Sequence, residues 1–274
     1  MQVWVNTGLV DAADAQLSAF DHGLTVGDGV FETVKVTGSG SFALTRHLQR
    51  LARSAAAIGL PEPDLDLTRR ACEAVVEANP VAELGRLRVT YTGGVAPLGS
   101  ERGDDGPTLL VALAPQPLPT PTVDVVTVPW PRNERGALAG VKSTSYAENV
   151  LALAYAKERG GAEAIFGNLA GNLCEGTGSN VFVVIDGELI TPPLAAGPLA
   201  GVTRALVVEW VGATEKDVPL SSLTDADEAF LSGTTRDVQP IRAVDGNVLV
   251  AAPGPVTQKA MEVFQAHAAE QADP

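Results

Sequence analysis

Four prolines fall within seven residues at Pro115-Gln116-Pro117-Leu118-Pro119-Thr120-Pro121. Proline lacks an amide donor and fixes φ, so neither a helix nor a central strand can run through this stretch. It reads as an extended connector. It divides the chain into an N-terminal part (1–115), a linker (116–122) and a C-terminal part (123–274). With 274 residues, each part has room for its own core.

Both parts mix strands with helices. Val3-Trp4-Val5 is a short apolar strand and Asn6-Thr7-Gly8 a turn. Phe31 to Val36 alternates with the period of two of a half-buried strand, placing Lys35 opposite the valines. Gly38-Ser39-Gly40-Ser41 reads as a hairpin turn. Thr45 is a candidate N-cap for a helix reaching Ile58, with Leu48, Leu51 and Ala55 at helical spacing and Gly59 ending it. A second helix is expected from about Asp66 to Glu77, and strands at Leu87–Thr92 and Thr108–Leu113. Beyond the linker, Val123–Val128, Val181–Ile185 and Glu228–Leu231 read as strands. Tyr146–Arg159, Thr203–Trp210 and Pro255–Ala269 read as helices. The fold class is α+β: a smaller N-terminal α/β domain and a larger, mixed C-terminal domain.

A formal net charge of −14 disfavours nucleic acid and anionic membrane surfaces, which leaves a small molecule as the expected partner. Cys72 and Cys174 form no CxxC pair and only three histidines are present, so no metal site is expected. The start lacks a basic, then apolar, leader, and no apolar run reaches the roughly 20 residues of a membrane helix. A cytoplasmic location is the expectation.

Of five lysines, Lys157, Lys216 and Lys259 sit among charged or polar neighbours, whereas Lys142 lies in Leu138-Ala139-Gly140-Val141-Lys142-Ser143-Thr144-Ser145 with no charged neighbour. Apolar surroundings strip water from an ammonium and free the amine for Schiff-base chemistry; the plain alternative is a loop lysine in solvent. Asn172 to Asn180 brings Glu175 onto a loop rich in Gly, Ser and Thr, either a solvated turn or an anion cradle with a carboxylate for a cationic ring nitrogen. Gly201-Val202-Thr203-Arg204 opens a helix, as an ordinary cap or as a phosphate site. Ser232-Gly233-Thr234-Thr235 is either a hydroxyl-rich turn or a grip for phosphate and carboxylate.

Together these segments resemble the class IV (fold-type IV) pyridoxal 5′-phosphate (PLP) aminotransferases. Phe20 to Thr33 is similar to the family's entry motif, and His47-Leu48-Gln49-Arg50-Leu51 with Ser54 to its HxxRLxxSA helix. Lys142 with Asn149, Cys174 to Val184, Thr191-Pro192-Pro193, Leu199 to Arg204, Ala226 to Thr234 and Gly254 to Thr257 follow in the family's order. The resemblance spans about residues 1 to 265.

The resemblance implies that Lys142 holds PLP and moves a proton between Cα and C4′, and that Glu175 keeps the pyridine nitrogen protonated. It implies phosphate contacts from Arg50, Gly201, Val202, Thr203 and Thr234, packing of Leu199 on the ring and a contact from Tyr146. Phe31, Lys35, Tyr91 and Thr235 are the candidate substrate contacts. It further implies a homodimer acting on an amino donor and an oxo-acid acceptor. Three branches compete. The Gly85–Tyr91 strand matches the branched-chain branch poorly. The loop Gly93–Gly103 lacks the Arg-x-His carboxylate trap of D-amino-acid aminotransferases, for which Arg102 is a candidate substitute. The Phe31–Lys35 strand is close both to that branch and to 4-amino-4-deoxychorismate lyases, which release pyruvate and 4-aminobenzoate from aminodeoxychorismate. The expectation is a transaminase for D-amino acids or (R)-amines, with the lyase second; a non-catalytic binding protein is disfavoured by Lys142, Glu175 and Arg50 together.

Overall fold

The alternation in the N-terminal part becomes an antiparallel sheet. The computed structural model describes residues 1–274 and divides into two units. One comprises Met1–Leu118, Val141–Tyr146 and Gln271–Pro274; the other comprises Pro119–Gly140 and Ala147–Glu270.

In the first unit, β1 (Gln2–Val5), β2 (Gly8–Asp11), β3 (Gly29–Thr37), β4 (Gly40–Ser41), β5 (Gly85–Thr92) and β6 (Thr108–Pro115) form one sheet in the order β2-β1-β6-β5-β3-β4. A short α1 (His22–Thr25) precedes β3, and α2 (Leu44–Ala57) and α3 (Leu65–Ala78) supply the covering layer. Residues paired directly across the sheet share a face. One face therefore carries Val30, Val34, Val36, Leu87, Val89, Tyr91, Val111 and Leu113, and these form a single core with Leu48 and Leu51 of α2 and Ala71 and Val75 of α3. The other face carries Phe31, Thr33 and Lys35 of β3 with Arg88 and Thr90 of β5.

Thr45 is not the cap expected from sequence. α2 starts one residue earlier, behind Ala43 in a left-handed conformation (φ 54°) without a side-chain cap. The capping carboxylate comes from Asp273, which accepts from the Thr45 amide at 2.8 Å and its hydroxyl at 2.6 Å. Such a partner, 228 residues away, leaves no local signature.

Grouping Lys142 with residues 123–274 also needs correction, because Val141–Tyr146 belongs to the first unit. β4 pairs with β3 only at Val36 and Thr37, and the segment occupies the edge left open: the Phe31 amide donates to the Lys142 carbonyl at 2.9 Å and the Thr144 amide to that of Gly29 at 2.8 Å.

In the second unit, β7 (Val123–Thr127), β8 (Glu163–Gly167), β9 (Leu173–Gly176), β10 (Asn180–Ile185), β13 (Glu228–Gly233) and β14 (Asp237–Val244) pair into a closed, six-stranded mixed barrel. The pairs β14–β7 and β7–β8 are parallel and the others antiparallel; β9 closes the ring by pairing β10 as well as β8. Val125, Ile165, Leu173, Val181, Leu231 and Ile241, one from each strand, fall in one apolar cluster. β11 (Glu188–Thr191) and β12 (Thr214–Glu215) extend outward from β10, and β15 (Asn247–Val248) pairs β14. The helices are α4 (Ala147–Glu158), α5 (Val202–Val211), the one-turn α6 (Ser222–Asp225) and α7 (Pro255–Glu270). No helix is long and apolar enough to cross a membrane.

Candidate active site

Within the first unit, Glu32 falls in the same alternation as Val34 and Val36 and is fully buried on the helix-covered face. Two α2 residues, His47 and Arg50, one turn apart, meet it. Arg50 donates from Nε at 2.8 Å and from one Nη at 2.7 Å, and the His47 Nδ1 lies 2.7 Å from the carboxylate. Burial opposes the charge on Glu32, but Arg50 and then His47 outweigh it and hold its carboxyl at about 2. Burial pushes the His47 imidazole below its ordinary value in spite of Glu32, with Arg50 and Lys142 adding in the same direction.

Lys142 Nζ sits 4.5 Å from the centre of the Phe31 ring, and the Arg88 guanidinium carbon lies 3.4 Å from the same centre. Tyr146 meets Phe31 edge-on at 5.2 Å. Arg88 was missed in the sequence. Its Nε bonds the Thr90 hydroxyl at 3.3 Å, no acidic side chain pairs with it, and burial lowers its pKa to about 10. Lys35 shares this sheet face but its Nζ lies over the Phe42 ring. Tyr91 does not share it; its ring is core on the opposite face. Arg102, the candidate substitute for the carboxylate trap, has most of its donors committed within the unit. It forks onto Asp28 at 2.7 Å through both nitrogens and donates to the Gly59 and Ile58 carbonyls at the end of α2.

In the second unit Glu175 lies on β9 rather than on a loop, and only residues 177–179 turn. Arg132 Nε donates to Glu175 at 3.1 Å and the Leu199 amide at 2.9 Å; the Arg132 guanidinium also stacks 4.0 Å from the Phe166 ring centre. Arg132 too was missed, because nothing in its local sequence points across 43 residues to Glu175. The N-cap of α5 is Gly201 and offers no side-chain bond to the first-turn amides of Val202 and Thr203. A Cβ at Gly201 would come within 2.0 Å of Asn180 Oδ1, so any larger residue would have to displace the Asn180 amide. Ser232 lies directly across from Asn180, on the same face, and its buried hydroxyl has no hydrogen-bond partner. Thr234 and Thr235 occupy the β13–β14 turn, closed by the Arg236 amide to Gly233 at 3.0 Å.

An uncapped helix start, a buried hydroxyl without a partner and an oriented carboxylate suit a group that carries a phosphate and a basic ring nitrogen. PLP is such a group. Residues 29–244 match the amino-transferase class IV family. A putative branched-chain-amino-acid aminotransferase of Methanocaldococcus jannaschii is 34% identical over 97% of this chain and 96% of its own. A D-alanine aminotransferase of Staphylococcus epidermidis is 30% identical over 96% of each. The crystal structure of a branched-chain aminotransferase from Thermoproteus uzoniensis superposes with a TM-score of 0.89 at 32% identity, covering 97% of this chain and 93% of the other. The PLP-bound form of a hypothetical aminotransferase from Mycobacterium tuberculosis gives 0.84 at 28%, covering 97% and 98%. Branched-chain enzymes thus rank among the near relatives, despite the poor match expected from the Gly85–Tyr91 strand alone. The chain belongs to the class IV aminotransferases and is a PLP-dependent transaminase.

Proposed function

We propose that this chain moves an amino group between an amino acid and a 2-oxo acid, with Lys142 as the covalent anchor of PLP and Arg88 as the holder of the substrate carboxylate. The observation that carries the substrate class is Arg88, a half-buried cation without an acidic partner on the same ring as Lys142. A desolvated guanidinium is stabilised by a forked carboxylate, which an amino acid and an oxo acid both bring. An (R)-amine lacking that group would leave the cation unpaired, so carboxylate-bearing donors are favoured over simple amines.

PLP, when bound, supplies the carbonyl that takes up the amino group and the ring that accepts electrons as the Cα proton leaves. Lys142 moves that proton. Glu175, oriented by Arg132 and the Leu199 amide, keeps the ring nitrogen charged, while Val202, Thr203 and Thr234 offer hydrogen bonds to the phosphate. Arg50, held against Glu32 by its Nε and one Nη, stays a proposed phosphate contact on the strength of the family motif. Leu199 and Tyr146 stay proposed cofactor contacts, and Phe31 a wall of the substrate pocket.

The identity of the relatives favours a branched-chain L-amino acid as donor. A D-amino acid is the second reading, supported by the D-alanine aminotransferase relative. Product analysis separates them: L-leucine, L-valine and D-alanine are each incubated with 2-oxoglutarate, and aminodeoxychorismate alone. Amino transfer from the L-donors is expected, and transfer from D-alanine only reverses the order. Release of 4-aminobenzoate without amino exchange overturns the transaminase substrate assignment. Arg88→Leu should raise KM for carboxylate substrates by roughly tenfold or more, since a bond to a charged group contributes about 1.5–3 kcal/mol; an unchanged KM removes Arg88 from the site.

A further inference from the structure

Glu163, the first residue of β8, is a buried carboxylate with no part in the chemistry above. One of its oxygens accepts from the Thr177 amide at 3.0 Å and from the Thr177 hydroxyl. The other accepts from the Ser179 hydroxyl at 3.3 Å and from an Arg236 Nη at 2.8 Å. The second nitrogen of that fork reaches Gln239, itself buried, at 2.9 Å.

These donors come from two hairpin tips. Thr177 and Ser179 form the β9–β10 turn, directly after Glu175 and before Asn180, and the turn is closed by the Gly176 amide to Ser179 at 2.8 Å. Arg236 closes the β13–β14 turn that carries Thr234. The tips lie side by side, since the strands below them pair at Asn180 and Ser232, and a side chain on Gly233 would meet the Gly178 carbonyl at 3.5 Å. A carboxylate accepting from both fixes the one relative to the other, since the oxygen shared by Ser179 and Arg236 is satisfied only when the two tips are in register.

We propose that Glu163 is a positioning residue that sets the spacing between Glu175 and Thr234, and so between the groups that take the ring nitrogen and the phosphate of PLP. It rests on the reading that those two residues bind the cofactor. The charge and both oxygens are needed, so Glu163→Gln keeps the shape but loses the anion that holds Arg236.

The test measures PLP affinity of the apo-chain by equilibrium dialysis, and the 31P chemical shift of bound PLP, for wild type, Glu163→Gln, Ser179→Ala and Arg236→Gln. The latter two cut one strut each and serve should Glu163→Gln fail to fold. The expected result is PLP binding weakened roughly ten- to a hundredfold, as for other outer partners of binding groups, with a displaced 31P resonance. A residue that only stabilised the barrel would lower the melting temperature of the apo-chain and leave affinity and resonance unchanged; that result overturns the proposal. Wild-type chain that binds no PLP overturns the cofactor reading as well.

Discussion

Glu32 in one unit and Glu163 in the other are buried carboxylates, and the two are neutralised by different means. Glu32, in the sheet unit, meets a bidentate arginine and a histidine from a single helix. Glu163, in the barrel unit, meets an amide, two hydroxyls and one arginine from two turns, with a longer bond from the neighbouring Ala164 amide. The first arrangement is charge against charge, in which removal of the anion leaves a buried cation behind. The second is mostly dipoles around a charge, in which removal of the anion leaves groups that can turn elsewhere. The difference teaches where each site is brittle: the sheet unit in its electrostatics, the barrel unit in its geometry.

The largest effect expected from breaking this contrast is on stability. Glu32→Gln should cost about 3–5 kcal/mol in urea unfolding of the apo-chain, the usual result of orphaning one member of a buried pair. A loss under about 1 kcal/mol would mean that Arg50 is not compensated through Glu32. The same pair sets a pH dependence. The Glu32 carboxyl titrates near 4.5 when unfolded and about 2 when folded, so the stability it lends is complete above 4.5 and is lost as pH falls towards 2. His47, held below its ordinary 6.5 in the folded chain, adds a loss that begins as pH falls through that value. Urea midpoints followed from neutral to acid pH should therefore fall more steeply for wild type than for Glu32→Gln; parallel curves would contradict the pairing. Glu163→Gln should cost less, about 1–3 kcal/mol, and the comparison is reversed if it proves the more damaging of the two. Smallest is Asp273→Asn, about 1 kcal/mol or less for an exposed cap on α2, read as a shift in melting temperature.

What could be read from sequence follows the range of each interaction. Alternation in Phe31–Val36 put Lys35 opposite the valines, and the register of β3 with β5 agrees. That alternation also placed Glu32 among the valines, a buried charge that demanded a partner, and His47 and Arg50 on one helix face were the signal that would have found it. Other features carried no local mark. Arg88 looks like any strand arginine until Phe31 is beside it, and Asp273 cannot announce from the end of the chain that it caps α2. β14 was missed because Pro240 argues against a central strand, although it pairs with both β13 and β7. Glu175 looks like a loop residue in the sequence because Gly176 to Ser179 dominate its neighbourhood, whereas it is the strand Leu173–Gly176 that aims it.

The covalent attachment of PLP at Lys142 is the claim on which the functional account turns. PLP-saturated protein reduced with borohydride and mapped by peptide mass spectrometry should carry one pyridoxyl group, on the peptide containing Lys142. An adduct on Lys35, Lys157, Lys216 or Lys259 instead, or no adduct at all, would contradict it.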